Sequence, residues 1–131
     1  MIDSPVLIDS WSWIEYFKGT ANAEETAKFI EGNVIAYAST INLAEVYRWF
    51  LLTYTESEAN SAIQDIKDRC FIVSVDEDIA IMAAKIKHDL TWGLGDSIIL
   101  ATARCKNAKV VTGDLDFQTI SEAIIIGKKE G

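Results

Sequence analysis

Four carboxylates stand out in this sequence for the segments that surround them. Asp9 closes the apolar run Pro5-Val6-Leu7-Ile8, and Glu45 lies inside the apolar stretch from Thr40 to Thr53. Asp96 follows Trp92-Gly93-Leu94-Gly95, and Asp114 follows Lys109-Val110-Val111-Thr112-Gly113. If such acids converge in space they repel one another unless a cation neutralises them. An all-oxygen set of Asp and Glu suits Mg2+ or Mn2+, which keep several of their waters. An ion held this way polarises a phosphoryl oxygen, lowers the pKa of water and stabilises a leaving oxygen.

Each acid also has a plainer reading. Asp9 and Asp96 stand before helical stretches, where Asp is a good N-cap. Asp114, in Thr112-Gly113-Asp114-Leu115-Asp116-Phe117, could simply form a turn. Glu45 is harder to dismiss. At about 100° per residue its direction falls between Ile41 and Leu52 on one side and Trp49 on the other. Leu43, Val46, Tyr47, Phe50 and Leu51 fill the opposite sectors. A carboxylate on a helix apolar nearly all round is expected to be at least partly buried, and a buried unpaired charge is expensive. A partner is therefore expected: a base, with Arg48 at i+3 the candidate, a hydrogen-bond donor, or a metal.

Positioning these acids requires strands and helices in alternation, and the pattern supplies them. Strands are predicted at Pro5 to Asp9, Val34 to Tyr37, Phe71 to Val73, Lys109 to Thr112 and Ala123 to Ile126. Helices are predicted at Ser10 to Lys18, Asn22 to Glu31, Thr40 to Thr53, Thr55 to Asp68, Asp76 to Leu90 and Asp96 to Lys106. Ser12 with Glu15, and Thr55 with Glu58, have the spacing of capping boxes. Alternation without hairpin signals predicts an α/β fold in three layers: a central parallel sheet of four to five strands flanked by helices. With no linker or repeat, residues 1–131 are expected to form one domain. Ligands of such sheets sit beyond the carboxyl ends of the strands, where Asp9 and Asp114 both fall.

Composition narrows the function classes. Twenty acids against twelve Lys and Arg give a net charge of −8, which argues against a basic nucleic-acid surface. A site that docks phosphate through a cation escapes that argument, because acids at its centre are then required. The single histidine, His88, excludes a His-rich metal site and a two-histidine ribonuclease mechanism. Cys70 and Cys105 are isolated and are expected to be buried free thiols. The amino-terminal residues lack a signal-peptide pattern, and no apolar run approaches the roughly 20 residues that span a bilayer. A cytoplasmic protein without a membrane partner is the expectation.

Four segments then occur in a telling order: Val6-Leu7-Ile8-Asp9-Ser10, Ser39-Thr40-Ile41-Asn42-Leu43-Ala44-Glu45-Val46, Gly95-Asp96-Ser97-Ile98-Ile99-Leu100-Ala101-Thr102-Ala103 and Val111-Thr112-Gly113-Asp114-Leu115-Asp116-Phe117. In order and spacing the chain resembles the PIN domain family, and within it the VapC-type toxins of prokaryotic toxin–antitoxin pairs. The resemblance implies a Mg2+- or Mn2+-dependent endoribonuclease in which metal-activated water hydrolyses RNA, leaving 5′-phosphate and 3′-hydroxyl ends. It implies that Asp9, Glu45, Asp96 and Asp114 are the catalytic and metal-binding quartet, with Asp116 as an additional acid. It also implies that Ser10 and Thr112 orient the acids or water, and that the protein is a homodimer held inactive by a VapB-type antitoxin.

Two features depart from that pattern. Trp11 and Trp13 crowd the first helix, where they either shape the groove and stack bases or pack a core or dimer interface. Bases are few: Arg48, Lys85 and Arg104 are the candidate RNA contacts, beside Lys87 and His88. Two rival classes stay open at this point. A receiver-like phospho-acceptor domain would use Asp9, Asp76 and Lys128 but leaves Glu45 and Asp96 without a role, and a binding module could keep the fold without catalysis. A phosphatase with an Asp-x-Asp nucleophile fails at Trp11.

Overall fold

The computed structural model describes residues 4–127. Its strands are β1 Val6–Ile8, β2 Ala36–Ser39, β3 Phe71–Val73, β4 Lys109–Thr112 and β5 Ala123–Ile125. Its helices are α1 Ser10–Lys18, α2 Ala23–Ile30, α3 Thr40–Thr53, α4 Glu56–Arg69, α5 Glu77–Leu90 and α6 Leu94–Cys105, with a short 3₁₀ helix at Leu115–Thr119. All strand pairs are parallel, in the order β3-β2-β1-β4-β5, as the alternating pattern predicts.

The strand sequences explain that order. Val6 and Ile8 of β1 enter one core with Trp13 of α1, Ile30 of α2, Val46 and Phe50 of α3, and Ile66 of α4. Leu7 enters the other, with Ile79 and Ala83 of α5 and Ile99 and Leu100 of α6. Val111 and Val110 of β4 divide between the same two cores. Strands apolar on both sides belong in the middle of a doubly covered sheet. The edge strand β3 instead leaves Phe71 65% exposed. From β1 the chain moves outward through β2 and β3, then returns to the other side of β1 for β4 and β5. The topological switch therefore lies between β1 and β4, and their carboxyl ends flank the crevice where such sheets bind ligands.

Several boundaries differ from the sequence prediction for local reasons. β2 starts two residues later, because Val6 pairs with Ala36 and Val73 with Ser39. Ser39 thereby ends the strand and caps α3: its hydroxyl accepts from the Ile41 N–H at 3.1 Å, and Asn42 Oδ1 accepts from the Ser39 N–H at 2.8 Å. The expected Ser12–Glu15 box does not form, since α1 already begins at Ser10. Ser12 is fully buried and donates instead to the Val111 carbonyl at 2.8 Å. Thr55 does accept from the Glu58 N–H, capping α4. Asp76 caps α5 through the Ile79 N–H. α6 starts at Leu94 with Gly93 as its N-cap, so Asp96 is the third helical residue and not the cap.

The thiols behave unequally. Cys70 is half-buried and donates to the Ile66 carbonyl, whereas Cys105, expected to be buried, is exposed with its neighbours Arg104 and Lys106 at the end of α6. Among the described residues no helix is long and apolar enough to cross a membrane.

Candidate metal centre

Adjacent strand ends start the site. The Asp9 N–H donates to the Val111 carbonyl at 3.1 Å, which registers the end of β1 against β4. Asp9 occupies the N-cap position of α1, yet its carboxylate makes no capping bond. Its Oδ2 accepts instead from Thr112 Oγ1 at 2.8 Å. The helix-cap reading thus leaves the Asp9 side chain unexplained. Thr112 Oγ1 in turn accepts from the Asp114 N–H at 3.1 Å, and Asp114 Oδ1 accepts from the Asp116 N–H at 2.9 Å. Asp114 is a turn former, as its plainer reading held, but the turn engages Oδ1 alone. A chain of hydrogen bonds therefore runs from Asp9 through Thr112 and Asp114 to Asp116.

Asp96 joins from α6. Its carboxylate and those of Asp114 and Asp116 each bring an oxygen within 4.8 Å of the other two. Glu45 approaches from α3: its Oε1 accepts from Ser10 Oγ at 2.7 Å, and a Cβ placed on Gly95 would lie 3.6 Å from its Oε2.

The prediction that Glu45 is partly buried is wrong, because the residue is exposed. α3 is apolar nearly all round, but this chain does not cover all of it: Leu51 and Leu52 remain 48% and 68% exposed. Arg48 is not its partner either, since no ion pair links them.

The electrostatics follow from this crowding. Burial, reinforced by Glu45 and Asp96, pushes Asp9 up to about 7 against the hydrogen bonds from Thr112 and the Ser10 N–H. Partial burial, then the charges of Asp114, Asp116 and Glu45, raise Asp96 to about 6. Among the described residues, Lys18, Arg69 and Arg104 form the ion pairs, and none reaches these five acids. The donor set is entirely hard oxygen, and its repulsion is compensated by no base. That chemistry fits a divalent cation such as Mg2+ or Mn2+.

The expected RNA contacts fare differently. Arg104 does not join the acids: its Nε pairs with Glu122 Oε2 at 2.6 Å, beside Ser4, Lys109 and Ser121 at the amino edge of the sheet. It sits at the wrong end of α6, the amino end carrying Asp96. Lys85 is exposed on α5, and Arg48 is exposed beside Leu43, Tyr47 and Lys67 in the groove between α3 and α4. Asp76, needed by a receiver, is occupied in capping α5, and Lys128 lies outside the described residues.

The two tryptophans also part company. Trp13 is buried in the core, stacked on Phe17. Trp11 is half-buried, its ring so close over Gly113 that a Cβ there would collide with it. The structure adds Asn42, fully buried at 0% exposure, whose Nδ2 donates to Ser10 Oγ at 2.8 Å. Its signal in the sequence is the Ser39-x-x-Asn42 spacing, a capping box with Asn in the usual Glu or Gln position.

Comparison with known proteins agrees with this architecture. A family model described as the PIN domain matches residues 6–123. No curated protein matches the sequence significantly. Among solved structures, a toxin–antitoxin complex from Klebsiella pneumoniae superposes with a TM-score of 0.76 at 23% identity, covering 91% of this chain and 95% of that one. A DNA-bound VapBC from Salmonella typhimurium gives 0.72 at 19% identity, covering 95% and 97%. A Mycobacterium tuberculosis VapC toxin described as cleaving the sarcin–ricin loop gives 0.70 at 16%, covering 88% and 95%. At these identities the likeness is one of fold.

Proposed function

The chain belongs to the PIN domain family, and from that premise we propose that it is a Mg2+- or Mn2+-dependent endoribonuclease, the toxin of a VapBC-type toxin–antitoxin pair. The observation that carries the reading is Asp9: a buried carboxylate, held by Thr112 and facing Glu45 and Asp96, the latter clustered with Asp114 and Asp116, with no ion pair to a base among the described residues. A receiver does not require Glu45 and Asp96 at this place, and a silent binding module has no use for a crowded cluster of acids.

In this reading Asp9, Asp96 and Asp114 are the principal ligands, with Asp116 and Glu45 completing the group. When bound, the cation supplies Lewis-acid stabilisation of phosphoryl oxygens and lowers the pKa of nearby water. The protein's own residues prepare that event. Thr112 engages Oδ2 of Asp9 and fixes the rotation of its carboxylate. Ser10 engages Oε1 of Glu45, which leaves Oε2 free for the cation. As water adds to phosphorus it gives up a proton to the surrounding carboxylates, the bond to the 3′ oxygen breaks, and that oxygen takes up a proton from solvent. Products are a 5′-phosphate and a 3′-hydroxyl. Arg48 and Lys85 are retained as candidate backbone contacts, and Arg104 is not.

The substrate class and partners rest on the neighbours' descriptions: one cleaves the sarcin–ricin loop and others are complexes with antitoxins. A cognate VapB-type antitoxin, a homodimer and a cytoplasmic location complete the proposal. The test is incubation of the purified protein with structured RNA in Mg2+ or Mn2+, in EDTA, and beside the Asp9→Asn variant. Cleavage only by the wild type with metal supports the nuclease. Cleavage persisting in EDTA or in the variant refutes it, and no cleavage under any condition favours the silent module.

A further inference from the structure

We infer that Asn42 is a positioning residue that sets the orientation of Glu45 through the Ser10 hydroxyl; this rests on the metal-centre reading above. Asn42 is fully buried, and both ends of its amide are engaged. Oδ1 accepts from the Ser39 N–H at 2.8 Å, and this fixes which end of the amide faces Ser10. Nδ2 donates to Ser10 Oγ at 2.8 Å. An amide nitrogen can only donate, so this bond occupies a lone pair of the hydroxyl. The single Ser10 proton is then left for Glu45 Oε1, 2.7 Å away.

The consequence is directional. A serine hydroxyl on its own rotates to suit its surroundings and would donate to whichever acceptor lies nearest. With Asn42 behind it, the hydroxyl is committed to one oxygen of an exposed glutamate. Oε2 is thereby presented beside Gly95, at the start of the helix that carries Asp96. Partners that orient a metal ligand in this way typically contribute about 10- to 100-fold to metal affinity. Helix α3 provides the rigid link: Asn42 and Glu45 lie three residues apart, on neighbouring positions of one helix face.

A double-mutant cycle separates this relay from a merely structural role. Mn2+ affinity is measured by electron paramagnetic resonance for wild type, Asn42→Ala, Ser10→Ala and the double variant. Asn42→Ala is expected to weaken Mn2+ binding about tenfold in the Ser10 background and not at all in the Ser10→Ala background. Equal weakening in both backgrounds, or in neither, overturns the proposal. Ser39→Ala, which removes the other half of the same cap, is expected to lower thermal stability while leaving Mn2+ affinity unchanged; weakening equal to that of Asn42→Ala also overturns it. Should Asn42→Ala not fold, Asn42→Asp keeps an acceptor for the Ser39 N–H, and its added charge cancels within the same cycle. The Glu45 carboxyl 13C shift in metal-free protein supplies an independent reading. It should move on substituting Asn42 only when Ser10 is present. If the wild type binds no Mn2+, the metal-centre reading fails, and this shift still decides the relay.

Discussion

Replacing Asp9 with Asn is expected to stabilise the metal-free protein while abolishing its chemistry. The fold holds Asp9 at about 7 against an ordinary 3.8, chiefly through burial. Between those values the folded chain keeps a proton that the unfolded chain has lost, so rising pH destabilises the fold across the window from about pH 4 to 7. At about 1.4 kcal/mol per tenfold, the full effect is about 4 kcal/mol above pH 7. Asparagine escapes it, and its side-chain oxygen can still accept from Thr112. A new amide N–H without an acceptor would cost about 1–3 kcal/mol, leaving a net gain. In EDTA at pH 8, Asp9→Asn should therefore melt higher than wild type by several degrees, up to on the order of 10 °C. The difference should shrink as pH falls, cross zero between about pH 4.5 and 6 where the protonation effect equals the cost of the unpaired amide, and reverse below that. Thermal unfolding followed by circular dichroism over that range is the assay. If the variant gains nothing at pH 8, or if any gain is independent of pH, the buried-carboxylate reasoning is refuted.

Three further outcomes follow from the same geometry. Mn2+ should raise the melting temperature of the wild type strongly at pH 8 and weakly at pH 5, because protons compete for Asp9 near 7 and Asp96 near 6; equal shifts at both pH values in a thermal-shift assay would contradict this. Gly113→Ala should destabilise by about 1–3 kcal/mol in urea denaturation, since its methyl group meets the Trp11 ring, and Trp11→Ala should largely reverse the loss. Ser12→Ala should lower stability by about 1 kcal/mol through loss of the buried bond to the Val111 carbonyl, read as a shift of the urea midpoint at constant slope.

The layers of the fold were legible because Val6 to Ile8 of β1 and Val110 and Val111 of β4 are apolar towards both faces of the sheet, while the helices repeat their apolar residues at helical spacing. Glu45 shows where that logic stops. Hydropathy locates apolar surface on α3 but does not say which of it this chain covers, and Leu51 and Leu52 remain open. Helix starts were ambiguous wherever capping residues crowd together: Asp9, Ser10 and Ser12 all qualify, and the sheet register decided among them by drawing Ser12 onto Val111. Acids announce themselves by charge. Asn42 did not, because its role depends on a contact 32 residues away along the chain. Arg104 looked like a phosphate contact by composition alone, and the direction of α6 placed it at the far edge of the sheet.

The central claim is that acids from four segments form one divalent-metal centre, and the direct measurement is anomalous diffraction from crystals soaked in Mn2+. The account expects a peak about 2.0–2.2 Å from carboxylate oxygens of Asp9, Asp96 and Asp114, with Glu45 and Asp116 alongside, absent from crystals of Asp9→Asn. A wild-type crystal without anomalous density between these acids, or with its only manganese elsewhere, would contradict it.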